Sequence, residues 1–545
     1  MLPTSKNPIA YFSLEFGIDS NIPTYAGGLG ILAGDTMLEA SELEIPMVGI
    51  GMMYKGRKFI QKISPEGWQF EEATPFRLDG ASSFRRVEIA GSALRFQVQV
   101  GEEDVWVEAY RQRLGDNVTL FLLNADVDGN SDYWRNLFDE IYWGNDEEQI
   151  KERIFFGVGG VSLIEALKIK PSIYHFQEGR PSMASLALFA SEYRKKPRPF
   201  EEILEAVKSQ IVYTNHTLVA SGIHSYDMDI VRRYVAPYAK ACETDVENIL
   251  RLGAEDDGRF HTTRFALNIS KMASGVSEPH TKMAKKRWSS YNFVNVTNGV
   301  NLTRWQKREF ASPMNTDSDI WKAHSAAKLS LEREVNARVG IGYDTSWFVA
   351  TWARRISGYK QLDKLFEDTQ LLKNALTQAG RPAILLIAGK AHPGDNWGKE
   401  LIKRIIDEMS STLNGHAIFV HNYDIALSSM LVSGSDAWIN IPEPDREASG
   451  TSGMKAVSNG VVQITAKEGW AYEVDWSNKG FVVDPTKAGE SVANIIKDQA
   501  LPLFYERDSD GLPKKWIEMM RNSISLSKKY NTERMLSEYI KKLYI

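Results

Sequence analysis

Glu443-Pro-Asp-Arg-Glu-Ala-Ser-Gly-Thr-Ser-Gly-Met-Lys455 sets small and hydroxylated residues immediately before a lysine. Such a run, from Glu447 to Gly453, leaves backbone N–H groups bare and lets an anion come close. The Met-Lys-Ala-Val-Ser-Asn-Gly that follows reads as the first turns of a helix. A helix N-terminus with free amides attracts anions. A lysine just inside it can be a charge clamp or a Schiff-base former. An ordinary loop with an N-cap serine or threonine has the same composition, so this stretch alone leaves both readings open.

The elements that position it form a strand–helix alternation. Buried strands are expected at 347–353, 383–388, 417–420, 436–440 and 461–465. The first four end in Arg354-Arg-Ile-Ser-Gly-Tyr-Lys360, Gly389-Lys-Ala-His-Pro-Gly394, His421-Asn-Tyr-Asp424 and the lysine stretch. Right-handed βαβ connections put such strand ends on one side of one parallel sheet. Arg354, Arg355, Lys360, Lys390, Tyr423 and Lys455 therefore converge on one edge. A solvated run of charge would not sit at the ends of buried strands, which favours an anion site.

The first half repeats the pattern. Ile9 to Phe16 is a strand and Pro23 to Gly30 a glycine loop. A helix follows from Ile31, and Pro46 to Tyr54 is the next strand. This is a βαβ unit. Gly27, Gly28 and Gly30 lie where loop meets helix, and their spacing is not that of a dinucleotide fingerprint. Residues 60–125 read as antiparallel strands, and a long helix is expected over 147–167. Strands ending near His175 and His216 allow those residues to face a cleft, although a single buried histidine is more often structural. Asn298-Gly299 is a polar turn, and Gly340 to Asp344 reads as an interdomain linker.

The chain has 545 residues, too many for one core. It is 43% hydrophobic and 25% charged, as a soluble globular protein is. A net charge of -5 with both signs interspersed gives no footprint for nucleic acid. One cysteine, Cys242, permits no internal disulfide and fits a reducing compartment. There is no signal-peptide core and no apolar run long enough to span a bilayer, so a cytoplasmic protein is expected. No histidine, cysteine or carboxylate spacing suits zinc or calcium, and no metal is expected.

These motifs resemble the α-glucan (glycogen, starch or maltodextrin) phosphorylases. The resemblance rests on Glu447 to Lys455, Arg354-Arg355 with Tyr359-Lys360, Gly389 to Gly394, Thr297-Asn-Gly299 and Gly27-Gly-Leu-Gly30. Order and approximate spacing match from Tyr11 to about Glu473, in the manner of the short bacterial and archaeal type. The regulatory N-terminal segment of the animal enzymes has no expected counterpart. The resemblance implies a GT-B fold, two Rossmann-like domains with the active site in the cleft between them. The expected domains are 1–338, which binds glucan, and 339–512, which binds cofactor and phosphate. C-terminal helices over 513–545 are expected to pack back toward the first domain.

By the same resemblance, Lys455 carries pyridoxal 5′-phosphate as a Schiff base. Thr451, Ser452, Gly453, Tyr423, Lys390 and Gly28 surround the cofactor. Arg354, Arg355 and Lys360 supply cations for inorganic phosphate. Glu447, Ser449, Gly450, Asn298, Gly28 and Leu29 hold the terminal glucose. The implied reaction is phosphorolysis with retention, in which phosphate replaces the paired carboxylates of a hydrolase. The implied partners are α-glucan or maltodextrin, inorganic phosphate and a second copy in a homodimer.

There are departures from the family pattern. Gln177-Glu-Gly-Arg-Pro181 stands where Asn-Glu-Gly-His-Pro is expected, and Gly17 replaces a cofactor-contacting tyrosine. Asn215-His-Thr-Leu-Val219 departs from Thr-His-Thr-Pro-Val, and a loose alignment puts Lys271 at the glucose-contacting histidine. Two alternatives keep the scaffold. One is a nucleotide-sugar glucosyltransferase resembling glycogen synthase, and the other a glucan-binding protein with a degenerate site.

Overall fold

The computed structural model describes residues 3–19, 22, 24–55, 58–74, 83–142, 144–219, 223–312 and 316–545. Pro23, at the head of the expected glycine loop, and residues 75–82 of the expected antiparallel region lie outside the described residues. The chain forms two compact units. Unit 1 is Met1–Lys58, Pro75–Thr297 and Met535–Ile545, and unit 2 is Phe59–Thr74 and Asn298–Arg534.

In chain order the first elements are β1 (Ile9–Phe12), α1 (Gly28–Glu42), β2 (Met47–Met52) and a hairpin of β3 (Lys58–Ile63) and β4 (Gln69–Thr74). Then come β5 (Glu103–Arg113), β6 (Val118–Asn124), α2 (Asp146–Ala166), β7 (Ile173–Gln177), β8 (Ile211–Thr214), β9 (Met272–Gly275) and β10 (Phe293–Asn295). The sheet of unit 1 runs β10-β9-β8-β7-β1-β2-β6-β5. Neighbours in this run are parallel except β6 and β5, and two further strands, Arg85–Arg86 and Arg95–Val100, pair antiparallel with β5. Both faces are covered, as parallel sheets require. Alternate residues such as Ala10, Phe12 and Ile50 pack with α2 in one core. Ile9, Tyr11 and Met47 pack on the other face with Met37 of α1 and Tyr539 of the tail. The strand order reverses between β1 and β7, the switch point of a doubly wound sheet.

Unit 2 contains α3 (Asp317–Val339), β11 (Phe348–Ala353), β12 (Arg381–Ala388), α4 (Asn396–Ser410), β13 (Ala417–Val420), β14 (Ala437–Asn440), α5 (Thr451–Ser458), β15 (Val462–Thr465), β16 (Gly480–Val482) and α6 (Lys514–Ser525). Its sheet runs β13-β12-β11-β14-β15-β16 in parallel, with a two-residue strand, Thr377–Gln378, antiparallel to β12. In chain order this is 3-2-1-4-5-6, the Rossmann order, with its switch point between β11 and β14. The fold class is therefore as expected, mixed α/β with two Rossmann-like sheets.

The division of the chain differs from the expected boundaries at 338 and 512. Unit 2 begins at Asn298 and holds α3 and α6. The reason lies on α3. His324 Nε2 bonds Asp436 Oδ1 at 2.7 Å, and Lys328 bonds the other oxygen of the same buried carboxylate at the head of β14. Gly340 is a left-handed stop to α3, φ 69°, rather than an interdomain linker. Of the expected C-terminal helices, Trp516 and Met520 of α6 join the core of unit 2. Only the segment from Met535 onward packs with unit 1.

Candidate active site

The switch point of unit 2 gathers most of the expected cations. Arg354 follows β11, and its backbone N donates to Ala388 O at 3.1 Å. Its NH1 donates to Glu447 Oε2 at 3.1 Å and its NH2 to Ser452 Oγ at 3.4 Å. Lys360 Nζ donates to the same Glu447 oxygen. Glu443 N on Tyr359 O, at 2.7 Å, ties the two loops together. Burial acts to raise the Glu447 pKa, but Lys360 and Arg354 outweigh it and hold the carboxyl below its usual value. Arg354 Nε is buried with no hydrogen-bond partner, so one face of the guanidinium has an unspent donor. Arg355, by contrast, is exposed.

The helix carrying the lysine starts at Gly450, whose φ of 86° needs glycine, and no side chain caps its first amides. Ser449 is buried with an unpartnered Oγ, and its carbonyl accepts from Trp470 N at 2.9 Å. Thr451 and Ser452 occupy the first turn. Gly453 is buried, and a Cβ there would lie 3.0 Å from the Trp470 ring and 2.9 Å from Gln463 Oε1. Its glycine lets α5 pack closely on Trp470, whose indole N–H is buried and unpartnered.

Lys455 is buried, and its Nζ lies 3.6 Å from the centroid of the Trp305 ring. Asn459 holds that arrangement together. Its Nδ2 donates to Trp305 O at 2.8 Å and to Lys455 O at 3.0 Å, and its Oδ1 accepts from Lys307 N at 2.8 Å. Asn298 belongs to the same unit, buried, with Oδ1 unpartnered and its carbonyl bonded by Arg534 NH2 at 2.9 Å. Gly299 beside it allows no side chain, since a Cβ would meet Asn531 O at 2.0 Å.

Two expected cofactor neighbours are engaged with protein groups. Tyr423 donates to Ser428 Oγ at 3.1 Å and lies close enough to Arg354 to feel its charge. Lys390 Nζ donates to Phe59 O at 3.1 Å, on the β3–β4 hairpin. That hairpin was not expected here. Gln61 bonds Gly389 O at 2.8 Å and Asn422 N at 2.7 Å, and Gln69 bonds both polar backbone groups of Ala391. It thus buttresses the loops after β12 and β13. Glu468 was also missed. Burial first, with the charges of Asp445 and Glu447 nearby, pushes its pKa up to about 7.

In unit 1, Gly28 opens α1 with free space where a Cβ would be, and Leu29 is half-buried. The loop before it is fixed by Glu15, which accepts from Ala26 N at 2.7 Å and Gly27 N at 3.0 Å. His175 is a core residue inside β7, bonded to Tyr544 and Thr214, and burial takes its pKa down to about 3. His216 instead follows β8 at the carboxyl edge, with Nε2 buried and unpartnered. Lys271 immediately precedes β9 at the opposite edge and donates to Ile545 O at 2.6 Å. Lys271 thus lies at the amino edge of the parallel sheet and His216 at its carboxyl edge.

Comparison with known proteins points the same way as the geometry. Residues 306–477 match the family described as carbohydrate phosphorylase. Maltodextrin phosphorylase of Thermococcus litoralis is 30% identical over 99% of this chain and 71% of its own length. Glycogen phosphorylase of Aquifex aeolicus is 30% identical over 99% of this chain and 86% of its own. Glycogen phosphorylase of Mycobacterium tuberculosis is 29% identical over all of this chain and 71% of its own.

Proposed function

The chain belongs to the carbohydrate phosphorylase family, and from that membership we propose that it cleaves the terminal α-1,4-linked glucose of an α-glucan with inorganic phosphate. The product is α-D-glucose 1-phosphate, with retention of configuration. The supporting observation is the meeting of Arg354, Lys360, Glu447 and the uncapped start of α5 at the switch point of unit 2. The nucleotide-sugar reading has less support, because the relatives at about 30% identity compared above are named phosphorylases.

Pyridoxal phosphate is a feature of this family, and the residues of the site suit it. Lys455 is buried, Ser449 Oγ, Trp470 Nε1 and Arg354 Nε are unspent polar atoms, and the amides of Thr451, Ser452 and Gly453 have no side-chain cap. Lys455 is the residue to hold the group, with Tyr423 and Lys390 as outer members. When bound, it supplies a phosphate that exchanges a proton with the substrate phosphate.

The protein's own work is electrostatic. Substrate phosphate needs cations, and Arg354 can offer Nε without giving up Glu447. Lys360 has further N–H donors beside the one spent on Glu447. Glu447, kept ionised, accepts from a glucose hydroxyl. Ser449 Oγ and Asn298 Oδ1, both buried without partners, suit the other sugar hydroxyls. Gly28 and Leu29 are the glucan-facing backbone proposed for unit 1. In the reaction the substrate phosphate gives a proton to the glycosidic oxygen as the C1–O bond breaks. A phosphate oxygen then bonds to C1 from the same face.

Incubation with maltodextrin and inorganic phosphate tests this. Glucose 1-phosphate is expected, with none formed when phosphate is omitted. No phosphate-dependent product from maltodextrin, starch or glycogen would favour a degenerate glucan-binding protein.

A further inference from the structure

The switch point of unit 1 holds a second set of charges that phosphorolysis leaves unused. Arg153, on α2, has no solvent exposure. Its guanidinium stacks over Tyr226 at 4.4 Å, and its NH2 donates to Gln149 Oε1 at 3.3 Å. Its Nε and NH1 are buried with no partner. Arg180 lies just past β7, stacks over Tyr142 at 4.2 Å and donates to His224 Nε2 at 2.9 Å. Burial and the two arginines take His224 down to about 3, so it is a neutral acceptor and no counter-ion.

Among the described residues, neither guanidinium has a carboxylate at ion-pair distance. Glu152 is the acidic group that both arginines act on, while the buried Glu178 also feels Arg180 and Asp146 acts on Arg153. Glu152 is buried, burial raises its pKa, and it accepts from Tyr54 OH at 3.4 Å. Arginine does not shed its proton in a protein. A buried charge is normally paired. None of these carboxyls takes a hydrogen bond from Arg153, whose two buried donors stay unspent for an incoming oxyanion. The place is also right for a ligand. Tyr54 follows β2 and Arg180 follows β7, the strands on either side of β1, so the cluster sits at the carboxyl edge of the sheet beside the switch point. Gly157 lets α2 approach there, since a Cβ would lie 2.3 Å from Ala184 N.

We propose that Arg153 and Arg180 form a second oxyanion site, in unit 1, that takes a phosphoryl group between the two guanidiniums. Its donors are Arg153 Nε and NH1 with the solvent-reached part of Arg180, which is half-buried. The phosphoryl group is either free phosphate or an ester carried on a glucan. This site goes beyond the phosphate position proposed in unit 2 and does not depend on it.

Calorimetric titration of the full chain with inorganic phosphate, at constant ionic strength, tests the proposal. Arg153→Met and Arg180→Gln are each expected to bind one equivalent fewer than the wild type. In phosphate-free buffer Arg153→Met is also expected to melt higher than the wild type, because an uncompensated buried charge is gone. The same number of phosphates in all three proteins would overturn the proposal. So would an Arg153→Met protein that melts lower and keeps every equivalent, since Arg153 would then be a structural residue. A maltodextrin 6-phosphate ester distinguishes the sources. Binding at least tenfold tighter than plain maltodextrin, lost in Arg180→Gln, assigns a substrate-borne phosphate, and equal affinity assigns the free ion. A wild type that releases no glucose 1-phosphate can still show the lost equivalent, so the two proposals fail separately.

Discussion

Arg354 and Glu447 meet across the point where the strand order of the second sheet reverses, NH1 to Oε2 at 3.1 Å, with Lys360 on the same oxygen. They lie 93 residues apart in the chain. β11 and β14 are neighbours because the sheet is wound outward from its first strand in both directions. Two distant loops therefore end at one spot, and the carboxylate proposed to hold sugar becomes the local counter-ion of the two cations proposed to hold phosphate.

Glu447→Gln removes that counter-ion and leaves two buried cations facing each other. In phosphate-free buffer the variant is expected to lose about 3 kcal/mol of stability. Added phosphate should raise its melting temperature more than it raises that of the wild type. Equal phosphate effects in thermal melts of the two proteins would show that the cations do not share an anion.

The buried histidines make stability depend on pH. His175 titrates near 3 when folded and near 6.5 when unfolded. The unfolded chain thus takes up its proton first. The contribution is complete above about 6.5 and is lost as pH falls toward 3. At pH 5 the loss from this one residue is about 2 kcal/mol. Melts at pH 7 and 5 should show the fall, with a shallower one in His175→Gln.

Asn459→Ala breaks the clamp between Trp305 and Lys455. It strips the buried Trp305 carbonyl and Lys307 N–H of their bonds at a cost of about 2 kcal/mol. Lys455 remains in place chemically, so the variant should bind cofactor and lose it faster on dialysis. Retention equal to the wild type would mean that Trp305 is held by its neighbours alone.

Gly299→Ala drives a methyl group into Asn531 O. The pairing of Val300 with residues 530 and 532 must open, which displaces Asn298. We expect a KM for glucan raised about tenfold or more and about 2 kcal/mol of lost stability. A raised KM for phosphate instead would place Asn298 on the wrong substrate.

The parts legible in the sequence are those set by local chemistry. The run from Glu447 to Lys455 announces itself by composition, and the buried strands by their apolar runs, so the cationic edge follows from topology. What could not be read depends on which surfaces meet. The pattern of α3 does not say which sheet it covers, and Asp436 decides that by binding His324 and Lys328. Gln61 and Gln69 look like ordinary strand polars until they bond loops more than 300 residues away. Lys271 and His216 differ only by the end of the strand on which each falls.

The central claim is that Lys455, beneath Trp305 at the start of α5, anchors the cofactor that phosphorolysis requires. Near-ultraviolet absorbance of purified wild type and Lys455→Ala, read beside glucose 1-phosphate release from maltodextrin, tests it most directly. The account predicts one absorbing cofactor per wild-type chain, and none in Lys455→Ala, with phosphate-dependent release lost as well. A wild type that releases glucose 1-phosphate without any such cofactor, or a Lys455→Ala protein that keeps cofactor and activity, would contradict it.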